Sequence, residues 1–209
     1  TESQLTDPIV INEINYKSID DFNADDWVEL YNPNSTSIDL SGWQLKDDDD
    51  SHVYEIPSET QIEGNSFIVL VKDASDFSDV FPDITNYIGE LGFGFGNSDS
   101  VRLYNDFGVL QDEVVYDSDD PWSDCAKETG YTLELITADL DNSLPGSWDC
   151  INNYGSPNAV NSSSLSSDED IVTTVKIYPN PAQKTLYIKG VSNQFNLQVF
   201  TITGQNILD

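Results

Sequence analysis

The chain has 209 residues, of which 38 are Asp or Glu and only eight are Lys or Arg, a formal charge of −30. Such a surface repels phosphate backbones, so nucleic acid and anionic membranes are poor partners, while calcium and basic surfaces are better ones. Four Trp, ten Tyr and nine Phe are more bulky apolar groups than an acidic disordered chain carries, and the length suffices for a core that folds without metals.

Short apolar runs separated by turn clusters predict an all-β domain over residues 8–160. Val10-Ile11-Asn12-Glu13-Ile14 comes first, then Trp27-Val28-Glu29-Leu30-Tyr31, closed by Asn32-Pro33-Asn34. In the second run the period of two puts Val28 and Leu30 on one face and Trp27, Glu29 and Tyr31 on the other. Gly42-Trp43-Gln44-Leu45-Lys46 follows a turn at Leu40-Ser41, with Trp43 expected to pack into the core and Trp27 a similar candidate. Ser66 to Val71 is apolar almost throughout, which places it centrally with both faces covered. Ala74 to Phe81 holds one or two turns of helix at most. Gly92-Phe93-Gly94-Phe95-Gly96 is too rich in glycine for a strand interior and reads as a loop or bulge. Ser100 to Tyr104, Val109 to Tyr116 and Tyr131 to Ile136 complete a sandwich of about seven to nine strands.

The charge is unevenly placed. Residues 1–160 hold 34 acidic and five basic side chains, against four and three in residues 161–209. A Ser- and Asp-rich stretch, 161–170, predicts a flexible linker. Beyond it, residues 171–209 contain Val175 to Pro181 with the turn Tyr178-Pro179-Asn180-Pro181, then Leu186 to Gly190, then Leu197 to Gly204. This run resembles the type A C-terminal sorting domain that Bacteroidetes attach to cargo of the type IX secretion system. The resemblance implies export to the cell surface or beyond, with the secretion machinery as a partner. The run stops at Leu208-Asp209, where that family continues, so the module reads as partial. No apolar run reaches the roughly 18 residues of a membrane span. The chain opens at Thr1 without an apolar leader, which is expected to be removed or to lie outside the sequence.

The order Ile11-Asn12-Glu13-Ile14, Asp26 to Asn32, Asp39 to Leu45, Phe67 to Leu70, Asp99 to Tyr104, Thr132 to Leu135 and Gly155-Ser156-Pro157-Asn158 resembles the lamin tail domain. That family implies an immunoglobulin-like sandwich, and its bacterial members are accessory modules of secreted or surface proteins. It brings no catalytic set. In a secreted chain Cys125 and Cys150 read as a disulfide worth roughly 3 kcal/mol, with two buried thiols as the alternative. Glu13 and Glu29 lie in strands beside apolar residues, where a carboxylate without partners is costly. They either tie loops to the sheet through hydrogen bonds or ligate a metal.

The strongest candidate for metal chemistry is Asp47-Asp48-Asp49-Asp50, since calcium takes several carboxylate oxygens. An EF-hand register from Asp48 fails at His52 and Val53, where an oxygen ligand and Gly are needed. A loop-made calcium site from Asp47 to Asp50, joined by Asp25 or Asp26, competes with a simply solvated acidic loop. Asp117, Asp119 and Asp120 form a weaker cluster of the same kind. One histidine, His52, is all that a hydrolytic triad could use, and no nucleophile motif accompanies it. The sequence therefore predicts a non-enzymatic, extracellular β-sandwich for interaction, adhesion or assembly with protein or glycan partners, including copies of itself. A calcium-dependent carbohydrate-binding module and an accessory domain of a secreted hydrolase are the alternatives.

Overall fold

The computed structural model describes residues 9–127 and 129–161 together with four short strands between 176 and 208. The chain divides into two compact units, Thr1–Ser163 and Ser164–Asp209. In the first unit the elements run β1 (Val10–Asn15), β2 (Trp27–Asn32), β3 (Ile38–Asp39), β4 (Gln44–Lys46), β5 (Tyr54–Glu55), β6 (Gln61–Ile62), β7 (Ser66–Val71), α1 (Ala74–Val80), β8 (Tyr87–Gly89), β9 (Asp99–Tyr104), β10 (Leu110–Tyr116), β11 (Leu133–Leu135) and β12 (Trp148–Asp149).

Two sheets carry the fold. One has the order β12-β11-β1-β2-β7-β8, the other β10-β9-β4-β5, and β3 pairs with β6 at one end. Pairing is antiparallel except between β7 and β8, where α1 makes the crossover that parallel strands require. The facing sides meet in one core. Ile11, Ile14, Val28, Leu30, Ile68, Leu70, Leu133 and Leu135 come from the larger sheet, and Leu45, Val101, Leu103, Val114 and Tyr116 from the smaller. Each such aliphatic side chain contributes on the order of 1.5–3 kcal/mol by leaving water. The fold is thus the expected all-β, immunoglobulin-like sandwich.

The outer face of the larger sheet is covered in a second way. Trp27, Val69 and Val71 pack with Phe77 of α1 in a separate cluster. Trp27 therefore sits beneath the helix, with Phe77 at 6.0 Å and Phe81 at 6.2 Å, and not between the sheets. Asp73 caps the helix by accepting the N–H groups of Ser75 and Asp76, and Pro82 forbids its continuation past Phe81. Trp43 is half-buried against the main core, as the sequence suggests. Cys125 and Cys150 are bonded, their Cα atoms 6.0 Å apart.

In the second unit β13 (Lys176–Tyr178) pairs antiparallel with β14 (Tyr187–Lys189), and β15 (Val199–Phe200) with β16 (Asn206–Leu208). Tyr178 lies opposite Tyr187. Pro179, Asn180, Pro181, Gly190 and Gly204 themselves lie outside the described residues, as does the predicted linker beyond Asn161.

Candidate functional site

The register of the larger sheet sets three glutamates in a row. Glu13 of β1 lies opposite both Glu29 of β2 and Glu134 of β11, and all three are fully buried. A β-bulge between Ile11 and Glu13 turns Glu13 to the outer face while Ile11 stays in the core. The segment following β12 supplies most of the donors to this row. Glu134 accepts the N–H groups of Ile151 and Asn152 at 3.1 and 2.6 Å, and the Asn152 amide at 2.6 Å. Glu13 accepts the Ser156 N–H at 3.0 Å and the Thr132 hydroxyl at 2.6 Å. Glu29 accepts the Asn12 amide at 2.9 Å and the N–H of Asn158. Asn161 ends the segment by donating to the carbonyls of Asn12 and Leu135 at 2.8 and 3.0 Å.

Burial pushes the Glu29 carboxyl up to about 8, the charge of Glu134 adding to it and the Asn12 and Asn158 donors opposing it. Glu13 rises well above the usual carboxylate range through burial and then the charges of Glu29 and Glu134. Glu134 is raised chiefly by burial. Ser156 Oγ lies 3.0–3.3 Å from Glu13 Oε2, Glu134 Oε2 and Asn161 Oδ1, yet has a single proton to give. The row is a clamp on the 151–161 segment.

The acidic loop after β4 is arranged otherwise than its sequence suggests. Asp47, Asp48 and Asp99 bring one oxygen each within 4.8 Å of one another. Asp49 turns to the Ser51 hydroxyl at 2.7 Å, and Asp50 pairs with Arg102 at 2.9 Å. Asp25 and Asp26 lie on Lys72, at 2.8 and 4.0 Å, rather than on this loop. The carboxylates of Asp47 and Asp99 are already engaged. Asp47 accepts the Asp49 N–H and pairs with His52 Nδ1 at 2.6 Å. Asp99 accepts the N–H groups of Asp48, Gly96 and Ser100. His52 is stacked on Phe93, 5.3 Å between ring centres, and its hydrogen bond to Asp47 raises its pKa. Its role here is to brace the loop.

A third feature was not singled out in the sequence. The turn between β9 and β10 is held by Asn105, whose Oδ1 accepts the N–H groups of Phe107 and Val109, with Gly108 at φ +73°. It presents Phe107, which is 84 % exposed. Of the nine large apolar side chains exposed among the described residues, four (Phe107, Val109, Leu110 and Val115) lie on this turn and on β10. On the same sheet face Lys46 lies 5.2 Å over the Tyr104 ring. Only the exposures could have identified this patch, because Val and Leu in an alternating run look the same whether their strand is central or at an edge.

A family model for the Lamin Tail Domain matches residues 2–118, and one for the secretion system C-terminal sorting domain matches residues 176–209. No curated protein matches the chain. The first match ends at Ser118, whereas the sheet is completed by β11, β12 and the 151–161 clamp. No helix among the described residues is long and apolar enough to cross a membrane. The sorting domain assigns the protein to the type IX secretion system, and hence to the cell surface or the extracellular space. The chain belongs to the lamin tail domain family and is a secreted member of it.

Proposed function

We propose that the sandwich is a non-catalytic binding module that attaches the secreted protein to a protein or glycan partner at the cell surface. The observation that carries this reading is the gathering of Phe107, Val109, Leu110 and Val115 on one hairpin and one strand of an otherwise heavily acidic chain. Exposed apolar groups gathered in one patch mark interaction sites more often than scattered ones do. A groove on the sandwich adds support. It has a volume near 580 Å³ and is flanked by Tyr31 and Phe67, whose rings lie 4.8 Å apart. Adhesion and assembly into a surface layer both fall within this reading.

The test is retention of the purified chain on cell envelopes. Wild type is expected to sediment with them and Phe107→Ser to remain largely in the supernatant. Equal retention of both, or turnover of glycan, nucleotide or phosphoester substrates, overturns the reading. A calcium-dependent carbohydrate-binding module is the second reading, favoured by the approach of Asp47, Asp48 and Asp99. It predicts that a chelator abolishes retention, whereas the first reading predicts no effect.

A further inference from the structure

Strand β10 is the longest of the sandwich and lies at the edge of the four-stranded sheet. Its first half is closed. Asp112 Oδ2 accepts the Ile11 N–H at 2.6 Å and the Asn142 amide at 2.7 Å, which stitches that part of the strand to β1. Its second half is not closed in this way. The Glu113 N–H turns to Asp112 Oδ1 at 2.9 Å, away from β9. In an antiparallel ladder the hydrogen-bonding direction alternates, so Glu113 and Val115 direct their backbone groups outward while Val114 and Tyr116 face β9. Val115 is 60 % exposed beside this free edge. With the Glu113 N–H taken by Asp112, the Glu113 carbonyl and the Val115 N–H and carbonyl are what the edge offers, and edge groups of this kind accept a further strand.

What the edge would accept is set by its surroundings. A shallow pocket of about 270 Å³ opens beside it, lined by Asp48, Ser98, Asp99, Ser100, Arg102, Glu113 and Val115. Three of these carry carboxylates, and Arg102 is already paired with Asp50. The chain as a whole carries −30, so a second copy would bring like charge to like charge. We infer that the 113–116 edge of β10 binds an extended segment of a partner protein in which an apolar residue and a Lys or Arg stand two apart, on one face of the strand. Its backbone would add a strand to β10, its apolar side chains would lie on Val115, and a basic side chain would enter the pocket beside Glu113. This deepens the binding-module reading and rests on it, naming the chemistry of the partner.

The probe is a synthetic octapeptide, Thr-Val-Thr-Lys-Thr-Val-Thr-Lys, which sets Val and Lys on one face, compared with one in which Gly replaces every Thr and Val, of the same charge but with no strand-forming side chains. Added to the full chain, the Lys-Val peptide is expected to bind at least about tenfold more tightly and to slow hydrogen exchange of the Val115 amide about tenfold or more. Val115→Lys is expected to lower its affinity about tenfold, and Glu113→Gln about threefold. Equal binding of the two peptides, or binding that leaves the Val115 amide exchanging as before, overturns the proposal. So does concentration-dependent dimerisation abolished by Val115→Lys, which assigns the edge to a second copy. Envelope retention that survives Val115→Lys overturns the placement alone, whereas wild type that is not retained at all overturns the binding-module reading.

Discussion

Ser156 donates its backbone N–H to Glu13 across a separation of 143 residues, at 3.0 Å. The approach requires the residue before it to lack a side chain. A Cβ on Gly155, which has φ +81°, would lie 2.3 Å from Glu13 Oε1 and 3.0 Å from the Thr132 methyl. Gly155→Ala is therefore expected to cost about 3 kcal/mol, from the left-handed backbone and the displaced carboxylate together. Urea unfolding measures it, and a loss below about 1 kcal/mol would show that the clamp yields freely.

The glutamate row makes stability depend on pH in a stated direction. Glu29 has a folded pKa of about 8, above its unfolded value, so its protonated form is the one the fold favours. That stability is fully present below the unfolded value near 4.5 and is lost as pH rises through about 8. Relief of the overall negative charge at low pH acts in the same direction, so the comparison must be with Glu29→Gln. The variant is expected to lower the slope of unfolding free energy against pH by up to about 1.4 kcal/mol per unit, one proton, between those limits. Parallel curves would mean that Glu29 is ionised throughout.

His52 provides a local titration. Its hydrogen bond to Asp47 raises its pKa, so the charged pair is present at low pH and is lost as pH rises through the raised value. NMR titration is expected to place the wild-type ring above the ordinary value of about 6.5 and Asp47→Asn close to it. The side chain is 45 % exposed, and the effect on global stability is expected to be small.

Reduction separates covalent from packing contributions. The Cys125–Cys150 bond closes a loop with a sequence separation of 25, and its loss is expected to lower stability by roughly 3 kcal/mol. Chemical denaturation with and without a reductant measures it. Trp122 and Trp148 lie 6.2 Å apart nearby, so their fluorescence reports the same transition.

Calcium is expected to bind the acidic loop more weakly than about 1 mM. The carboxylates of Asp47 and Asp99 already accept four backbone N–H groups, with which the ion would have to share their lone pairs. Calorimetric titration settles this, and an affinity tighter than about 0.1 mM would overturn the expectation.

Much of the architecture was legible in the sequence because burial follows the period of two. Val28 and Leu30 face the main core while Trp27 lies on the other face, and β7 is covered on both sides as its unbroken apolar run implies. The helix fell where Ala74 to Phe81 allowed it. The two-residue strands β3, β5, β6 and β12 escaped detection, since two residues have no period. Glu13 and Glu29 stand out as carboxylates among apolar neighbours, a pattern that fits hydrogen bonding to a loop as well as metal ligation. Their third member, Glu134, lies in Thr132-Leu133-Glu134-Leu135, but nothing local says that it will face Glu13. The acidic run was only partly legible for a related reason. Four consecutive Asp suggest a single site, whereas Asp99, which joins Asp47 and Asp48, arrives from a different strand.

The central position of β1 has a kinetic consequence. Its neighbours in the sheet are β2, made soon after it, and β11, made almost last. Ribosomal synthesis proceeds at about 5–20 residues per second, so β1 waits several seconds for its second partner. During that interval one edge of β1 is open and the donors for Glu13 have not been made. Pairing across so long a loop is intrinsically slow, on the millisecond-to-second scale. The early strands are most exposed to misassembly in those seconds, and the 151–161 segment is the last piece to emerge before the sandwich can close.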